Sequence, residues 1–583
     1  MISLTGAQAL VRLLAAEAVP FAFGIVGGKL APLLHAISQQ SALRFVGVRH
    51  EAAAPMMAAA AYAGSGRLCV ALAEMGPGAL NLAGGLGMAF NNHLPLLAIT
   101  TNQHRAAAYP HSGMFMDLDT RALLAPITQW NAVVHDGRRL PELVRTAMRQ
   151  ALSGRPGPVH LDIPQDVLSG RFDFADHEFD VLPGRYRALG GPRPAADAVQ
   201  AAANLLRSAR RPLVVAGGGV VASGPGAVAA LQALAGRLAA PLLPTQMALG
   251  VVASDSPHFV GHGGLIAGEP VLQALAQADV ILSVGCRWSS WLWDERGPLA
   301  RRSHTLININ IDPAALGAPA LHELAMVADA GLALADLNAA LDAGGDTPGD
   351  PQAKLLVDPG WLPGLQAQRA SYAANLATLA DDAGPVMHPA ALARAIAQAL
   401  PADALATFDG GHTSFWSNDF TPVRAVRTRL HEPGMSQLGF GLPAALAWQL
   451  LHPGRPVFNL TGDGSFGFTL NELDTARRLG LPVVTLIHNN AAWGIIRQGQ
   501  RKQFGFELGS DLAGCDYAAI ARGFGCFGET VRQPDQVAPA IRRALASGLP
   551  AVLDCLTRFE PHPAMPGFGS MNRYGFEALT GPA

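Results

Sequence analysis

The sequence predicts an α/β protein built from three doubly wound parallel-sheet domains. Short runs of apolar and β-branched residues alternate with helical stretches in three parts of the chain, at 1–170, 190–345 and 365–560. Half of the 583 residues are hydrophobic and 15% are charged, which is typical of a chain with large buried cores. The three units have similar lengths, which favours one architecture used three times over a solenoid of short repeats.

The alternation places the strands in order. In the first domain the runs FAFGIV, FVGVR, LCVALAE and LLAIT precede a last run at 158–164, and Thr5 is the expected N-cap of the first helix. Residues 168–192 lose the periodicity and are expected to form a linker. The strands of the second domain are predicted at 211–221, 280–285 and 305–313. A tail at 561–583 is rich in turn residues, and is either a lid or a frayed end.

The composition excludes several classes of protein. The formal net charge is −2 and the pI is about 6.8, so nothing draws the chain to nucleic acid or to an anionic membrane surface. The five cysteines are scattered without CxxC spacing, which argues against a disulfide framework or a zinc site. The N-terminus lacks the pattern of a signal peptide, and no apolar run approaches about 20 residues. We therefore expect a cytoplasmic protein with reduced cysteines.

The stretch 457–490 predicts a strand, a helix and a second strand. Residues 457–461 and 483–487 are apolar runs, and residues 468–479 between them have helical spacing. A crossover of this kind makes its two strands parallel, so the loops at their carboxyl ends open onto the same edge of the sheet.

Asp463 and Asn490 follow these two strands and can therefore share one ligand. Both offer hard oxygen atoms, which suit Mg²⁺ or Ca²⁺. Gly464 lets the backbone approach a ligand closely, and Ser465 stands at the start of a helix, where free N–H groups can bind phosphate oxygens. The predicted ligand is a diphosphate with its divalent cation.

The order GDGSF, ELDTA, LPVV and NN, with Asp463 and Asn490 27 positions apart, resembles the cofactor fingerprint of the thiamine-diphosphate-dependent enzymes. Alone, GDG and NN are ordinary turn sequences. The resemblance implies that Asp463, Asn490 and the backbone carbonyl of Ala492 hold Mg²⁺ against the diphosphate. It covers almost the whole chain and implies a pyrimidine-binding first domain, a central spacer domain and a diphosphate-binding third domain.

Glu51 is the candidate catalytic residue. It lies in RHE, between a predicted strand and an alanine-rich helix, where a glutamate is ordinarily a first-turn acid of the helix. The family carries an RHE-type motif here, and the resemblance implies that Glu51 exchanges a proton with N1′ of the cofactor aminopyrimidine. Such a carboxyl must be screened from water. The adjacent His50 is expected to be structural.

Other residues of the third domain are assigned by the same resemblance. Gly411, His412 and Thr413 lie where relatives contact the diphosphate, and a capped loop is the alternative for the histidine. Leu438 stands where the family places the apolar residue that bends the cofactor, although a core leucine would look the same. Trp493 follows the second asparagine and is expected to line the cofactor and substrate pocket, or to be a residue of the hydrophobic core.

The motifs HEAAA, GRPGPVHLDIP, LGFGLPAALA and NNAAWG are most similar to acetolactate synthase large subunits, benzaldehyde lyase and oxalyl-CoA decarboxylase. The chain has no His-His pair, which argues against the pyruvate decarboxylase type. Val26 and Lys29 occupy a loop in which benzaldehyde lyase-like members carry histidine. Met116 stands where acetolactate synthases have a glutamine, and a thioether is a poor hydrogen-bond partner. His93 and His111 are further candidates for substrate contact, with a structural loop role as the alternative.

The central domain carries a glycine-rich stretch, AGGGVVASGPG, at 216–226. It lacks the full dinucleotide fingerprint, but some relatives bind FAD or ADP in this domain, and Arg287 and Trp288 follow a strand where they can contact an adenine nucleotide.

The sequence therefore predicts a C–C bond lyase or carboligase that depends on thiamine diphosphate and Mg²⁺. Its substrate is expected to be a 2-oxo acid, a 2-hydroxy ketone or a 2-hydroxy acid. The alternatives are a non-oxidative decarboxylase of a 2-oxo acid or acyl-CoA, a flavin-linked oxidase, and a catalytically silent family member that serves as a regulatory subunit. The resemblance also implies a homodimer or homotetramer whose active site lies between the first domain of one subunit and the third domain of another.

Overall fold

The computed structural model describes residues 1–110, 113–264, 267–289, 292, 304–317, 321–343 and 355–564. Three parallel β-sheets with helices packed against them form three α/β domains, so the predicted fold class is confirmed. No helix in these ranges is long and apolar enough to cross a membrane. The limits of the domains stay predictions.

The first domain is built on a six-stranded parallel sheet with the strand order β3-β2-β4-β5-β7-β6. Its elements are β1 (Ile2–Thr5), α1 (Gly6–Ala16), β2 (Phe21–Gly24), α2 (Ala31–Ser38), β3 (Arg44–Gly47), α3 (Ala53–Ser65), β4 (Val70–Ala73), α4 (Pro77–Asn91), β5 (Leu97–Asn102), α5 (Thr120–Leu124), β6 (Trp130–Val133), α6 (Leu140–Leu152), β7 (Val159–Pro164), α7 (Gln165–Ser169) and β8 (Arg171–Phe174).

The central domain has a five-stranded parallel sheet with the order β10-β9-β11-β12-β13. Its elements are α8 (Ala196–Ser208), β9 (Pro212–Ala216), α9 (Gly218–Ser223), α10 (Pro225–Arg237), β10 (Leu242–Pro244), α11 (Glu269–Gln277), β11 (Val280–Val284), β12 (Thr305–Asn310), β13 (Leu324–Val327) and α12 (Ala330–Ala343).

The third domain has a six-stranded parallel sheet with the order β15-β14-β16-β17-β19-β18. Its elements, with the long helix α13 that leads into it, are α13 (Trp361–Ala380), α14 (Pro389–Ala399), β14 (Leu405–Phe408), α15 (Gly411–Phe420), β15 (Arg429–His431), α16 (Gly441–Leu451), β16 (Val457–Gly462), α17 (Asp463–Thr469), α18 (Glu472–Leu479), β17 (Val484–Asn489), α19 (Gly494–Phe504), α20 (Tyr517–Gly523), β18 (Phe527–Val531), α21 (Pro534–Ala546) and β19 (Ala551–Leu556).

The first and third domains share a hydrophobic core. The alanine-rich helix α3 packs against α16, and small side chains let the two helices approach closely. Trp448 of α16 donates from its indole N–H to the carbonyl of Ala60 at 2.9 Å. Gly64 lies under the same indole, where a Cβ would come within 2.7 Å of Nε1. The alanines that the sequence shows after Glu51 therefore serve domain packing.

Two local predictions were wrong, and one was right. Residues 168–192 are not only a linker, because β8 lies within them and pairs antiparallel with β1. The single helix expected at 468–479 is two helices, and the first already begins at Asp463. Thr5 does cap α1, accepting from the backbone N–H of Gln8 in a capping box.

Candidate active site

The sheets of the first and third domains each contain a topological switch point. At this point successive connections leave two adjacent strands in opposite directions along the sheet. In the third domain this point lies between β14 and β16, and in the first domain between β2 and β4. Ligands of open α/β sheets bind outside the carboxyl ends of the strands at such points. The candidate residues 411–413 and 463–465 follow β14 and β16, and Val26 and Lys29 follow β2.

Asp463 and Asn490 come together as the sequence predicts. β16 and β17 are adjacent and parallel, with Gly462 opposite His488, so the two residues leave the sheet side by side. The Asp463 carboxylate is buried beside the backbone N–H groups of Ala491 and Ala492. Burial raises the pKa of Asp463 to about 6, and the N–H groups only partly oppose this.

Asn490 has an oxygen without a partner. Its Oδ1 is buried, and no hydrogen bond reaches it within the described residues. Ala491 adopts a φ of +51°, a left-handed conformation that is uncommon for a residue with a side chain and that turns the chain sharply after Asn490. A buried amide oxygen beside a buried carboxylate is a donor set that fits a hard divalent cation.

Glycines bring the surrounding backbone close to this pair. A Cβ at Gly464 would come within 2.5 Å of the Trp493 ring, so the indole covers the start of α17. A Cβ at Gly462 would meet Oγ1 of Thr413 at 3.2 Å, and one at Gly410 would meet Oγ of Ser465 at 3.1 Å. The hydroxyls of Thr413 and Ser465 therefore lie at the same surface, where the N-termini of α15 and α17 meet.

His412 and Leu438 also lie at this surface. His412 is buried on the first turn of α15, next to Gly411 and beside Gly494. Leu438 is half-buried between two residues with positive φ, Ser436 and Gly439, and a Cβ at Gly439 would meet Phe468 of α17 at 2.7 Å. The candidates that follow β14, β16 and β17 thus lie around the start of α17, whereas Leu438 precedes a glycine that packs against its last turn.

Glu51 lies at the start of α3 and is partly buried. Its Oε2 accepts a hydrogen bond of 2.9 Å from Nδ2 of Asn81 in α4. The loop before it is fixed by the third domain, because the buried carboxylate of Glu472 accepts from the backbone N–H groups of Arg49 and His50. The exposed His50 ring accepts from the N–H of Ala52, which agrees with a structural role.

Three of the substrate candidates cluster near Glu51. A Cβ at Gly78 would lie 3.3 Å from Oε1 of Glu51 and 3.6 Å from the Cβ of Glu74. Oε2 of Glu74 accepts from the N–H of Lys29, which fixes the loop that carries the exposed Val26. Met116 has a φ of +60° and packs on Gly76 at the N-terminus of α4.

The structure does not bring His93 to this cluster. His93 follows the other end of α4, about 20 Å from the first turn at 1.5 Å per residue. It lines a cavity of about 560 Å³ between the domains, with Arg287, Cys286 and the glycines 217–219. Burial lowers the pKa of His93 to about 4. His111 and the tail at 565–583 lie outside the described residues.

Sequence reasoning did not predict a role for Asn81 or Asp554. Asn81 stands in GPGALNL at 76–82, where no pattern marks the asparagine, and Asp554 is the single charge in the apolar run AVLDCL. Asp554 is buried and accepts from Nδ2 of Asn489 at 2.9 Å and from the N–H of Tyr517 at 3.1 Å. The hydroxyl of Tyr517 in turn donates to the carbonyl of Asp463. Asp554 therefore braces the loop that carries Asn490.

We expect Asp554→Asn to destabilise the protein by about 1–3 kcal/mol, because the amide puts a donor against one of the two N–H groups that the carboxylate accepts. Urea denaturation monitored by circular dichroism measures the change. The exposed Asp535 of α21 is a matched control, and Asp535→Asn is expected to stay within about 0.5 kcal/mol. Equal stability of the two variants would show that Asp554 braces nothing.

The residues present fit a diphosphate with its cation. The fit rests on the unpartnered Oδ1 of Asn490, on the buried Asp463 and on the glycines that a side chain could not replace. In the part of the chain that the structure describes, no three His, Cys, Asp or Glu side chains converge as metal ligands. The candidate site does not need such a group, because it combines one carboxylate, one amide and one backbone carbonyl.

Comparison with known proteins gives one consistent family. Residues 4–123 match the N-terminal TPP binding domain of thiamine pyrophosphate enzymes, residues 199–337 match their central domain, and residues 409–555 match their C-terminal TPP binding domain.

Similar curated proteins extend over nearly the whole chain. A probable 2-ketoarginine decarboxylase of Pseudomonas aeruginosa is 35% identical over 94% of this chain and 92% of its own length. A probable acetolactate synthase large subunit of Methanocaldococcus jannaschii is 29% identical over 96% and 93%. The acetolactate synthase large subunit of Corynebacterium glutamicum is 29% identical over 94% and 86%. With all three domain types present in order, the chain belongs to the thiamine pyrophosphate enzymes.

Proposed function

We propose that this enzyme uses thiamine diphosphate and Mg²⁺ to break and form C–C bonds next to the carbonyl of a 2-oxo acid, or of a 2-hydroxy ketone or 2-hydroxy acid. The observation that carries the proposal is the pairing of the buried Asp463 with the unpartnered Oδ1 of Asn490 at the switch point of the third sheet. A buried carboxylate and a buried lone pair are costly unless a cation or a donor satisfies them.

The third domain would hold the diphosphate end of the cofactor. Asp463, Asn490 and the carbonyl of Ala492 would bind the cation. Ser465, Thr413 and the free N–H groups at the start of α15 and α17 would bind phosphate oxygens, since helix N-termini favour anions. Trp493 and Leu438 would border the bound cofactor, the first by covering Gly464 and the second from a sharply turned loop.

The first domain would supply the acid–base group. Glu51 would hold a proton at its carboxyl, and the amide of Asn81 would orient it through the 2.9 Å hydrogen bond. When bound, thiamine diphosphate supplies the electron sink for the pair of electrons released when the C–C bond breaks. The protein must then exclude water and select what reacts next.

A non-oxidative decarboxylase is the second candidate function. Met116 packs at the start of α4 and offers only a weak hydrogen-bond acceptor to a substrate carbonyl. Negative charge lies nearby on Glu74 and on Asp117, whose Oδ1 is buried without a hydrogen bond inside the described ranges. These carboxylates favour a 2-oxo acid with a cationic side chain, which is the kind of substrate named for the Pseudomonas relative.

We also propose that the active site forms between two copies of the chain. Large apolar side chains are exposed around both halves of the site, with Leu80 and Phe115 near Glu51 and Phe468 and Ile496 near Asp463. Exposed apolar groups that cluster in this way mark interaction surfaces. A homodimer or homotetramer that pairs the first domain of one subunit with the third domain of another would cover them.

We further propose that the central domain binds an adenine nucleotide, FAD or ADP, in the cavity that His93 lines. Gly217 and Gly219 pack directly on Gly285, where a Cβ at either position would lie within 2.8 Å of backbone atoms. Arg287 lines the cavity, and burial lowers the pKa of its guanidinium, although the Glu432 carboxylate partly opposes this shift. A visible spectrum of the purified protein separates yellow FAD from colourless ADP.

A titration followed by a substrate panel tests the function. Metal-stripped protein is titrated with thiamine diphosphate with and without Mg²⁺, and the loaded enzyme is mixed with pyruvate, 2-ketoarginine, hydroxy ketones and acyl-CoAs. We expect binding only with Mg²⁺, followed by CO₂ release from at least one 2-oxo acid. A coupled product formed with an added aldehyde indicates a carboligase, and free aldehyde alone indicates a decarboxylase.

Three results would contradict the proposal. Failure of thiamine diphosphate to bind in the presence of Mg²⁺ would mean that the site serves another purpose. Tight binding without turnover of any substrate class would favour a silent family member that acts as a regulatory subunit. Oxygen consumption by a yellow protein would instead indicate a flavin-linked oxidase.

A further inference from the structure

His562 contacts both ends of helix α15, although no motif marks it. Its backbone N–H donates to Nδ1 of His412 at 3.4 Å, at the start of the helix. Its ring is fully buried, with Nε2 3.2 Å from Oδ2 of Asp419 near the end of the helix. The ring also packs edge-on against Trp416, with the ring centroids 4.3 Å apart. The segment that follows β19 therefore contacts α15 near both of its ends.

The hydrogen bond at Nδ1 defines the tautomer of His562. A neutral imidazole has one donor and one acceptor nitrogen. Nδ1 of His562 accepts from the N–H of Ala564 at 3.2 Å, so the ring proton is on Nε2 and faces Asp419. Oδ2 of Asp419 also accepts from the hydroxyl of Tyr372 at 2.7 Å. Tyr372 belongs to α13, so the contact ties α15 to the helix that leads in from the central domain.

The same reasoning defines His412. Because its Nδ1 accepts from the backbone of His562, its proton is on Nε2. That Nε2 is buried and forms no hydrogen bond of good geometry within the part of the chain described, although the backbone of Gly494 and the side chain of Gln498 lie nearby. Burial, with a smaller effect of His562, lowers the pKa of His412 to about 4, so the ring is neutral at pH 7.

The position of His412 directs this donor toward the candidate diphosphate site. A Cβ at Gly494 would lie 3.1 Å from Cδ2 of His412 and 3.6 Å from Nδ2 of Asn490, so the histidine and the metal-binding loop flank the same glycine. Cδ2 is bonded to Nε2, so the unpartnered N–H is on this side of the ring.

We propose that His562 is a positioning residue, which together with Asp419 and Tyr372 holds His412 as a neutral Nε2–H donor to the cofactor diphosphate. The inference rests on the proposed function, because it takes the diphosphate to bind at this surface. It assigns to the segment 558–564 a place in the cofactor site, and it makes the 3.2 Å contact between Nε2 of His562 and the Asp419 carboxylate a determinant of cofactor affinity.

The first test is His562→Leu in the full-length protein. We expect its Kd for thiamine diphosphate with Mg²⁺ to rise about tenfold, which is typical of a residue that orients a ligand group. The ¹⁵N chemical shifts of His412 should change from those of a single Nε2–H tautomer to those of a tautomer mixture. His388→Leu is the matched control, because His388 is buried against the same Trp416 ring but contacts neither His412 nor Asp419. It should lose stability without either change.

A pair of milder variants covers the case in which His562→Leu does not fold. A glutamine amide places a donor close to the position of Nε2, whereas an asparagine amide places it close to Nδ1. We expect His562→Gln to bind the cofactor about as the wild type does and His562→Asn to bind about tenfold more weakly. Equal affinities of these two variants, or an unchanged His412 spectrum in His562→Leu, would overturn the inference. Failure of the wild type to bind the cofactor would instead overturn the proposed function.

Discussion

Replacing Glu51 with glutamine is expected to lower kcat by about 10³-fold while the protein still binds thiamine diphosphate and Mg²⁺. The amide keeps the size of the side chain and can still accept the hydrogen bond from Asn81 through its oxygen. It cannot give or take a proton at neutral pH, and proton transfer by a positioned side chain contributes about 10²- to 10⁴-fold to a rate. Steady-state rates on the substrate found in the panel, with cofactor affinity measured by calorimetry, test both halves of the prediction.

Glu142→Gln is the control for this experiment. Glu142 is an exposed carboxylate of the same domain, paired with Arg139 on the surface of α6, so its loss should leave kcat unchanged. Near-normal turnover by Glu51→Gln would remove Glu51 from the acid–base role. Loss of cofactor binding in that variant would show that the carboxyl holds the cofactor and does not only exchange a proton with it.

The parts of the site that the sequence predicted are those fixed by local rules. Asp463 and Asn490 follow the two strands of one crossover, and a parallel pair of neighbouring strands can bring them together in only one way. The glycines at 462 and 464 are likewise explained by close contacts with Thr413 and Trp493, which recur wherever a helix starts against a ligand site. The family resemblance added the roles expected of Glu51 and His412, which local patterns alone do not distinguish from a helix acid and a loop cap.

The parts that the sequence did not predict depend on contacts between distant segments. Asn489 and Asp554 are 65 positions apart, and His412 and His562 are 150 apart. A single buried aspartate or histidine looks the same in a sequence whether it braces a site or fills a core. His93 illustrates the opposite error, because it was a candidate for substrate contact but follows the far end of α4, a helix of 15 residues whose first turns lie beside Glu51.

Asp463→Asn is expected to weaken Mg²⁺-dependent binding of thiamine diphosphate by at least about 100-fold, because even residues that only orient metal ligands contribute 10- to 100-fold. The substitution removes the one negative charge of the proposed cation site and leaves its shape.

The apo protein should not lose stability in this variant. Burial raises the pKa of Asp463 to about 6, which means that the ionised carboxylate is disfavoured in the folded chain without its cation. For a raised pKa, the contribution to stability is present below the unfolded value near 4 and is lost as the pH rises through about 6. Asparagine carries no such cost at pH 7, so the Tm of apo Asp463→Asn should equal or exceed that of the apo wild type.

The ligand response then separates a lost metal site from a damaged fold. Cofactor and Mg²⁺ at 100 times the Kd should stabilise the wild type by about 2.7 kcal/mol, and this gain should vanish in Asp463→Asn at the same concentrations. Asp474→Asn is the control, because Asp474 lies on the neighbouring helix α18 in a partly exposed ion pair with Arg478 and should keep the full response. A wild-type response in Asp463→Asn would place the cation elsewhere, whereas a low Tm in the apo variant would show that the carboxylate serves the fold. Together, an intact apo Tm and a lost ligand response are the results that only a cation bound at Asp463 predicts.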